Sequence, residues 1–189
     1  GQQPDGIAKW YDEHTELVEK GLVKGIEVVN SDEYYPEVHQ WCLDKQLTML
    51  GNSDIHDPIA MSYDPQKGQH RPMTLVFAKE NTTESIHEAL LDRRTAVYFR
   101  DWLIGEERFL RPIFEQSIAL DFTQMTLKGK ARHSVELANL SGLDYELELD
   151  GGFDELILPR KISLPAGKAV LMNIRSAVET LNETKNFEL

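Results

Sequence analysis

Short apolar runs alternate with amphipathic stretches in the first part of the chain. Residues 25–30, a β-branched run, and residues 47–50, an apolar run, predict two buried strands. Between them, residues 36–45 have the polar and apolar spacing of a helix that begins at Pro36. A strand, a helix and a second strand in this order are typical of parallel strands joined by a right-handed crossover. The pattern therefore predicts an α/β fold here.

The same reasoning predicts further elements on either side of this unit. An amphipathic helix is expected over residues 9–20, a second helix over 85–94, and a mixed helical stretch over 101–116. Apolar runs predict strands over 73–78 and 95–99. Residues 57–72, which join the strand–helix–strand unit to the predicted strand 73–78, are rich in Asp, Pro, Gly and Gln. Loops of this length usually carry function or are mobile.

From residue 117 the pattern changes to short runs in which apolar and polar positions alternate. This period of two, with turn residues between the runs, predicts an antiparallel β-sandwich. We expect a hairpin turn at 149–153 and a final strand within 181–189, and the other strands are predicted at 118–122, 134–139, 145–149 and 168–173. The sequence thus predicts an α/β domain over residues 1–116 and an all-β domain over 117–189.

Composition narrows the class of protein. The chain has 189 residues, of which 41% are hydrophobic, enough for a real core. Its formal net charge of −12 disfavours nucleic acid and anionic membranes as partners, because it repels phosphates over the whole surface. No run is apolar enough to span a bilayer, and the polar first residues lack the apolar core of a signal peptide. We expect a soluble protein, and the sequence leaves a cytoplasmic or an exported location open.

The residues with the clearest candidate chemistry follow the second strand of the α/β unit. Asp54 and His56 are two residues apart, and in a strand such residues point to the same face. A carboxylate and an imidazole together suit zinc, manganese or iron, and the C-terminal end of a strand is where α/β barrels keep their chemistry. The alternative is a turn-forming Asp beside a surface His. The lone Cys42 excludes an intrachain disulfide and is expected to pack as a small buried hydrophobe.

These motifs resemble a known family when they are taken in order. The strand 25–30, a helix, an apolar strand and then Gly-Asn-Ser-Asp-Ile-His at 51–56 resemble the closing portion of the PHP (polymerase and histidinol phosphatase) superfamily of metal-dependent phosphoesterases. Residues 71–78 and 93–99 are similar to the continuation in two-domain members that append a small β-domain. The resemblance covers residues 7–116 by motif and the remainder by architecture.

The resemblance implies a distorted (β/α)7 barrel in which His, Asp and Glu side chains hold two or three divalent metal ions. The family's last motif, Asp-x-His, falls on Asp54 and His56. It implies that Asp54 is a metal-binding carboxylate and that His56 is an imidazole ligand of zinc, manganese or iron. The implied reaction is hydrolysis of a phosphate ester, with a phosphorylated small molecule as the substrate.

The chain also departs from the family pattern. The family's opening His-x-His motif, and the further His and Glu ligands before the strand 25–30, have no counterpart in this sequence. Because a catalytic zinc normally has three protein ligands and a water, we expect the 189 residues to be inactive alone. The chain is then the C-terminal portion of such an enzyme or a truncated relative of it. The alternative is a non-catalytic binding or interaction module built on a degenerate half-barrel and a β-sandwich.

Four further residues are candidates for substrate binding. Glu27 and Asn30 lie in or at the end of the first strand, where Glu27 also has the alternative role of anchoring a loop. His70 and Arg71 lie in the long loop, where the Arg71 guanidinium could bind two phosphate oxygens or the pair could simply be solvated. Because a half-barrel leaves an open strand edge, we also expect a homo-oligomer that covers this edge.

Overall fold

The computed structural model describes residues 7–121, 124–128, 132–152, 154–178 and 182–186, with only the backbone described for 124–128 and 182–186. The chain divides into two compact units, Gly1–Arg111 and Pro112–Leu189. This division falls inside a helix, α4 (Glu107–Ser117), and so does the predicted domain boundary after residue 116.

The first unit mixes helices and strands, as the sequence predicts. Its described helices are α1 (Asp12–Glu19), α2 (Pro36–Lys45) and α3 (Thr83–Leu91). Its described strands are β1 (Gly25–Asn30), β2 (Glu33–Tyr34), β3 (Thr48–Asn52), β4 (Met73–Val76), β5 (Thr95–Phe99) and β6 (Trp102–Gly105). Two short 3-10 turns, Ile59–Met61 and Pro65–Lys67, lie in the long loop between β3 and β4.

β1 and β3 are parallel neighbours joined by α2, which confirms the predicted crossover unit. α2 begins at Pro36, whose fixed φ suits the first turn of a helix. It ends where Gln46 takes the left-handed conformation with φ of 56°. Val38 and Cys42 on its inner face are buried in the same core cluster as the valines of β1. β2 extends the sheet by pairing antiparallel with β1.

The other sheet of this unit is antiparallel, in the order β4-β5-β6. Here the predicted mixed helix over 101–116 is wrong in its first part, because residues 102–105 form a strand. Phe99 pairs with Trp102 across a two-residue turn, and the pairing carries Ile104 into the core. Pairing with β5 therefore overrides the local preference. The second part is helical, and α4 contains Pro112 as predicted.

Threonine hydroxyls cap the edge of β3 that faces away from β1. The Gly51 N–H donates to Thr74 Oγ1 at 2.9 Å, and the same hydroxyl donates to the Gly51 carbonyl at 3.1 Å. Thr95 Oγ1 donates to the Met49 carbonyl at 2.9 Å. These bonds satisfy backbone groups that would otherwise need a neighbouring strand. They also bring the second sheet close enough for the buried Val97 to share the core of the first.

The second unit is built from antiparallel strands. They are β7 (Ile118–Leu120), β8 (Gln124–Lys128), β9 (Arg132–Asn139), β10 (Tyr145–Glu148), β11 (Leu156–Ile157), β12 (Lys161–Leu164), β13 (Ala169–Ser176) and β14 (Asn182–Asn186). They form a four-stranded sheet in the order β11-β13-β9-β7 and two-stranded sheets β10-β12 and β14-β8. Leu164 of β12 packs against Ile118 and Leu137 of the larger sheet. Sheet therefore packs on sheet, in agreement with a sandwich.

Two expectations about these elements change. The predicted hairpin turn at 149–153 is wrong for its described residues, because β10 pairs with β12 rather than with the next strand, β11. A backbone bond from Leu149 N–H to the Arg160 carbonyl, 2.9 Å long, closes this wider loop. The final strand is present as β14, while residues 122, 153, 181 and 187–189 of the predicted elements lie outside the described part. The strands of the first unit lie in two three-stranded sheets, and the (β/α)7 barrel is not confirmed by them.

Candidate functional site

Three strands of the first unit are followed, within two residues, by a non-glycine residue with a left-handed backbone. Ser31 follows β1 with φ of 55°, Asp54 follows β3 with φ of 52°, and Arg100 follows β5 with φ of 53°. A side chain in this conformation costs of order 1 kcal/mol or more, and such residues concentrate at functional sites. The Ser31 N–H also donates to the Asn52 carbonyl at 2.9 Å, which holds the ends of β1 and β3 side by side. Function is therefore to be sought at these strand ends.

The structure brings the side chains of Asp54 and His56 together. Asp54 Oδ1 lies 3.5 Å from His56 Nε2, and the two side chains are 63% and 88% exposed. β3 ends at Asn52, so the two residues meet in a loop rather than on one face of a strand. That they share one target stays a prediction; their proximity coincides with the left-handed turn at Asp54 and not with strand alternation.

The spacing of these two atoms suits one metal ion. Two ligand atoms that are each about 2.0–2.2 Å from a tetrahedral zinc lie about 3.3–3.5 Å from each other. A direct imidazolium–carboxylate hydrogen bond is shorter, about 2.7–2.9 Å. A third donor is not close: among the residues that the structure describes, no group of three His, Cys, Asp or Glu side chains could hold a metal ion. The described pair thus offers two donor atoms at a spacing that a metal ion could bridge, without a third donor beside them.

A carboxylate behind this loop orients two amides. Glu27 of β1 accepts from Asn30 Nδ2 at 2.7 Å through one oxygen and from Asn52 Nδ2 at 2.6 Å through the other. An ionised carboxylate only accepts hydrogen bonds, so both NH2 groups must face Glu27. Consequently the amide oxygens of Asn30 and Asn52 point away from it. Glu27 fixes the end of β1 to the end of β3, which is the loop-anchoring role that the sequence left open.

Asn52 is the member of this group that sequence reasoning missed. The available signal was its place directly before the Ser-Asp-Ile-His segment, at the end of a buried strand. A parallel crossover places the ends of both strands at one edge of the sheet, so Asn30 and Asn52 were bound to be neighbours. What the sequence could not show is that Glu27, which lies 25 residues before Asn52, binds both amides.

His70 is bound to the main chain, whereas its neighbour Arg71 is exposed. Both ring nitrogens of His70 contact main-chain carbonyls, of Arg71 and of Arg100, each at 2.8 Å. The ring also stacks on Tyr98, with centroids 3.9 Å apart and planes 21° apart. His70 is therefore fixed to the scaffold, where it joins the long loop to the turn after β5.

The two tyrosines after β1 are held by hydrogen bonds. The Tyr35 hydroxyl donates to Glu33 Oε2 at 2.6 Å, and this bond, with burial and nearby carboxylates, raises the pKa of Tyr35 to about 12. The Tyr34 hydroxyl lies 2.8 Å from His39 Nδ1, and burial lowers the pKa of His39. At neutral pH the Tyr35 phenol therefore stays protonated. Both rings contribute to the core of the first unit.

No helix in the described part of the chain is long and apolar enough to cross a membrane. No protein-family model matches this sequence, and no curated protein matches it. One solved structure is similar: the crystal structure of a two-domain protein containing a predicted PHP-like metal-dependent phosphoesterase, from Bacteroides vulgatus ATCC 8482.

That protein is 35% identical to this chain, with a TM-score of 0.84. The match covers 99% of this chain and 59% of the other, so the chain spans less than two thirds of the length of its relative. The resemblance that the strand 25–30 and the Asp54-x-His56 motif predicted is thereby confirmed. Over nearly its whole length, the chain is therefore similar to part of a two-domain protein that contains a predicted PHP-like metal-dependent phosphoesterase.

Proposed function

We propose that the chain supplies the closing part of a PHP-type metal-dependent phosphoesterase that hydrolyses phosphate esters. β1, β3 and the crossover helix α2 are then the last units of a distorted (β/α)7 barrel. The observation that carries the proposal is the pair at the end of β3, where Asp54 Oδ1 and His56 Nε2 face each other at 3.5 Å. This is the position of the family's last metal motif, and the spacing suits two ligands of one ion.

In this proposal Asp54 and His56 hold a divalent ion, of zinc, manganese or iron. When bound, such an ion supplies a hydroxide near neutral pH and neutralises phosphoryl oxygens. The side chains of this chain would hold the ion and orient the groups around it. Glu27 is a positioning residue, because it binds the amide nitrogens of Asn30 and Asn52 and so turns their amide oxygens away from itself. Arg71 remains a candidate phosphate contact, whereas His70 would first have to release two carbonyls.

Two ligands are too few for a hydrolytic site, so we expect metal binding by this chain without turnover. The test is a titration of the ¹⁵N-labelled chain with Mn²⁺, followed by paramagnetic broadening of backbone amide signals. Signals of residues 53–57 should broaden first, and excess EDTA should restore them. In parallel, hydrolysis of p-nitrophenyl phosphate with Mn²⁺ should not exceed that of the metal alone.

Single substitutions make this test specific. Asp54→Asn and His56→Ala should each raise the Mn²⁺ concentration for half-broadening about tenfold or more, because each removes one of two ligands. His87→Ala, at an exposed histidine on α3, is the matched control and should change nothing. Broadening elsewhere, or broadening that survives His56→Ala, would show that the pair is an ordinary turn Asp beside a surface His. It would also favour the non-catalytic module.

A further inference from the structure

A cleft of about 360 Å³ opens beside the ends of β1 and β5. Residues 62–63 and 67–70 of the long loop form one wall, Asp32 forms another, and Arg100 and Asp101 in the turn after β5 form the third. Pro72 and Phe99 line it with buried apolar side chains. Ligand pockets for small molecules have volumes of about 300–1,000 Å³. The cleft is thus large enough for a small metabolite.

Hydrogen bonds hold the loop wall in place. His70 joins it to the turn after β5 through the Arg100 carbonyl. Asp64 caps the second 3-10 turn by accepting from the Gln66 N–H at 3.1 Å, and the Asp64 N–H donates to Gln69 Oε1 at 3.0 Å. These bonds order a long polar loop whose composition alone predicts no regular structure. A wall that is ordered before the ligand arrives lowers the entropic cost of binding.

Two cations and two carboxylates line the cleft. The Arg100 guanidinium lies over the Phe99 ring, 4.9 Å from its centroid, and donates to the Asp32 carbonyl at 3.3 Å. A guanidinium has five N–H donors, so this bond leaves capacity to bind an anion. The Lys67 ammonium, 3.2 Å from Asp64 Oδ2, is the second cation. Asp32 and Asp101 are the acidic residues of the lining.

Tyr63 adds a hydroxyl to this set. Burial and then the charge of Asp32 raise the pKa of Tyr63 above its ordinary value of 10.0. Its phenol therefore stays protonated at neutral pH and can donate to a ligand oxygen. Asp32 and Tyr63, which lie far apart in sequence, both line the cleft.

We propose that this cleft binds a small phosphorylated polyol, with Arg100 and Lys67 on the phosphate and the carboxylates of Asp32 and Asp101 on the hydroxyls. Guanidinium and ammonium groups are the side chains that bind phosphate oxygens in proteins. A carboxylate repels phosphate but accepts strongly from a hydroxyl, so the mixed lining selects a ligand that carries both groups. The small volume, and the net charge of −12, disfavour a nucleic acid.

This inference rests on the proposed function, because it takes phosphate esters as the substrate class, but it can be tested without catalysis. The ¹⁵N-labelled chain is titrated in EDTA with glucose 6-phosphate, with inorganic phosphate and with glucose, and backbone amide shifts are followed. Glucose 6-phosphate should shift the signals of Lys67–Gln69 and Arg100–Asp101. Phosphate and glucose, which each lack one of the recognised groups, should bind at least tenfold more weakly.

Substitutions separate recognition from structure. Lys67→Gln and Arg100→Gln should each weaken binding of glucose 6-phosphate about tenfold, because each removes one charge-assisted contact. Lys79→Gln is the matched control, since Lys79 is also an exposed lysine paired with one carboxylate, Glu88. Asp101→Asn should weaken glucose 6-phosphate while leaving inorganic phosphate as tight or tighter. A merely structural defect would weaken both ligands.

The outcomes distinguish this inference from the proposed function. If glucose 6-phosphate shifts no cleft signal, or if Lys67→Gln and Lys79→Gln behave alike, the cleft is not the binding site. That result leaves metal binding at Asp54 and His56 intact. If the cleft binds as expected in EDTA while Mn²⁺ fails to broaden residues 53–57, the proposed phosphoesterase site is overturned and the cleft stands as a metal-independent binding site.

Discussion

Gly51 gives the sharpest test of how β3 is held against the second sheet. A Cβ at this position would overlap Val97 Cγ1 and would lie 3.2 Å from Val97 Cγ2, closer than ordinary contact. Val97 is completely buried in the core of the first unit, so it has no room to move. Gly51→Ala must therefore push β3 away from β5 or force Val97 off its rotamer. Overpacking of this kind typically costs about 1–3 kcal/mol.

Urea unfolding followed by tryptophan fluorescence reports the stability of the first unit, to which Gly51 belongs. All three tryptophans, Trp10, Trp41 and Trp102, lie in the first unit. With a slope near 2 kcal/mol/M, a loss of about 1–3 kcal/mol lowers the urea midpoint by about 0.5–1.5 M. Gly105→Ala is the graded control, because its Cβ would lie 3.1 Å from Ala96 Cβ, a tight contact without overlap. Its midpoint should fall less.

A double-mutant cycle identifies the cause. Val97→Ala alone leaves a cavity and should cost about 1–3 kcal/mol by analogy with other core truncations. In the Gly51→Ala background the same change removes the atoms that the new methyl group meets, so the double mutant should be more stable than the sum by about 1 kcal/mol or more. Additive effects, or an unchanged midpoint for Gly51→Ala, would refute the packing of β3 on β5.

Three further predictions concern a threonine hydroxyl, a buried thiol and the oligomeric state. Thr74→Val leaves the Gly51 N–H and carbonyl without their hydroxyl partner and should lower the free energy of unfolding by about 1–3 kcal/mol in the same urea assay, whereas an unchanged midpoint would contradict the capping of β3. Burial raises the pKa of Cys42 to about 12, whereas a thiol in the unfolded chain has a pKa of about 8.5. Between these two pH values the folded state keeps a proton that the unfolded state has lost, so stability should fall as pH rises, and Cys42→Ala should reduce this fall. At pH 8 a disulfide reagent should label Cys42 only at the rate of unfolding. The expected homo-oligomer should appear in light scattering after size exclusion, and a clean monomer of 21.6 kDa would count against it.

Local patterns predicted helices and strands best where no long-range pairing changed the local preference. β1, α2 and β5 have the predicted bounds, since each is a continuous run with a clear start or stop signal such as Pro36. β6 was mistaken for helix because its four residues show no alternation, and only pairing with β5 makes them a strand. The hairpin expected at 149–153 failed for the same reason, because the partner of β10 lies beyond β11. Strand partners are long-range facts that local spacing does not contain.

In the candidate site, too, residues that are close in sequence could be predicted more easily than contacts between distant residues. Asp54 and His56 are near neighbours in sequence, so their spacing and the motif around them identified the pair. The parallel pairing of β1 and β3, itself predictable, requires that both strands end at one edge of the sheet. This places Glu27 near Asn52 and would have justified a search for a bridging carboxylate.

The position of Arg100 beside Asp32 could not be predicted from the sequence, for a different reason. β5 runs antiparallel to its neighbours in the second sheet, so no rule of parallel sheets brings its C-terminal end to the ends of β1 and β3. The contact arises because β3 and the second sheet are joined through Thr74 and Thr95 instead of through strand pairing. The turn at Arg100 then meets Asp32 from a distance of 68 residues along the chain. The pairing of Asp54 with His56 therefore follows from a motif, whereas the cleft at Arg100 and Asp32 depends on side-chain hydrogen bonds that only the folded chain reveals.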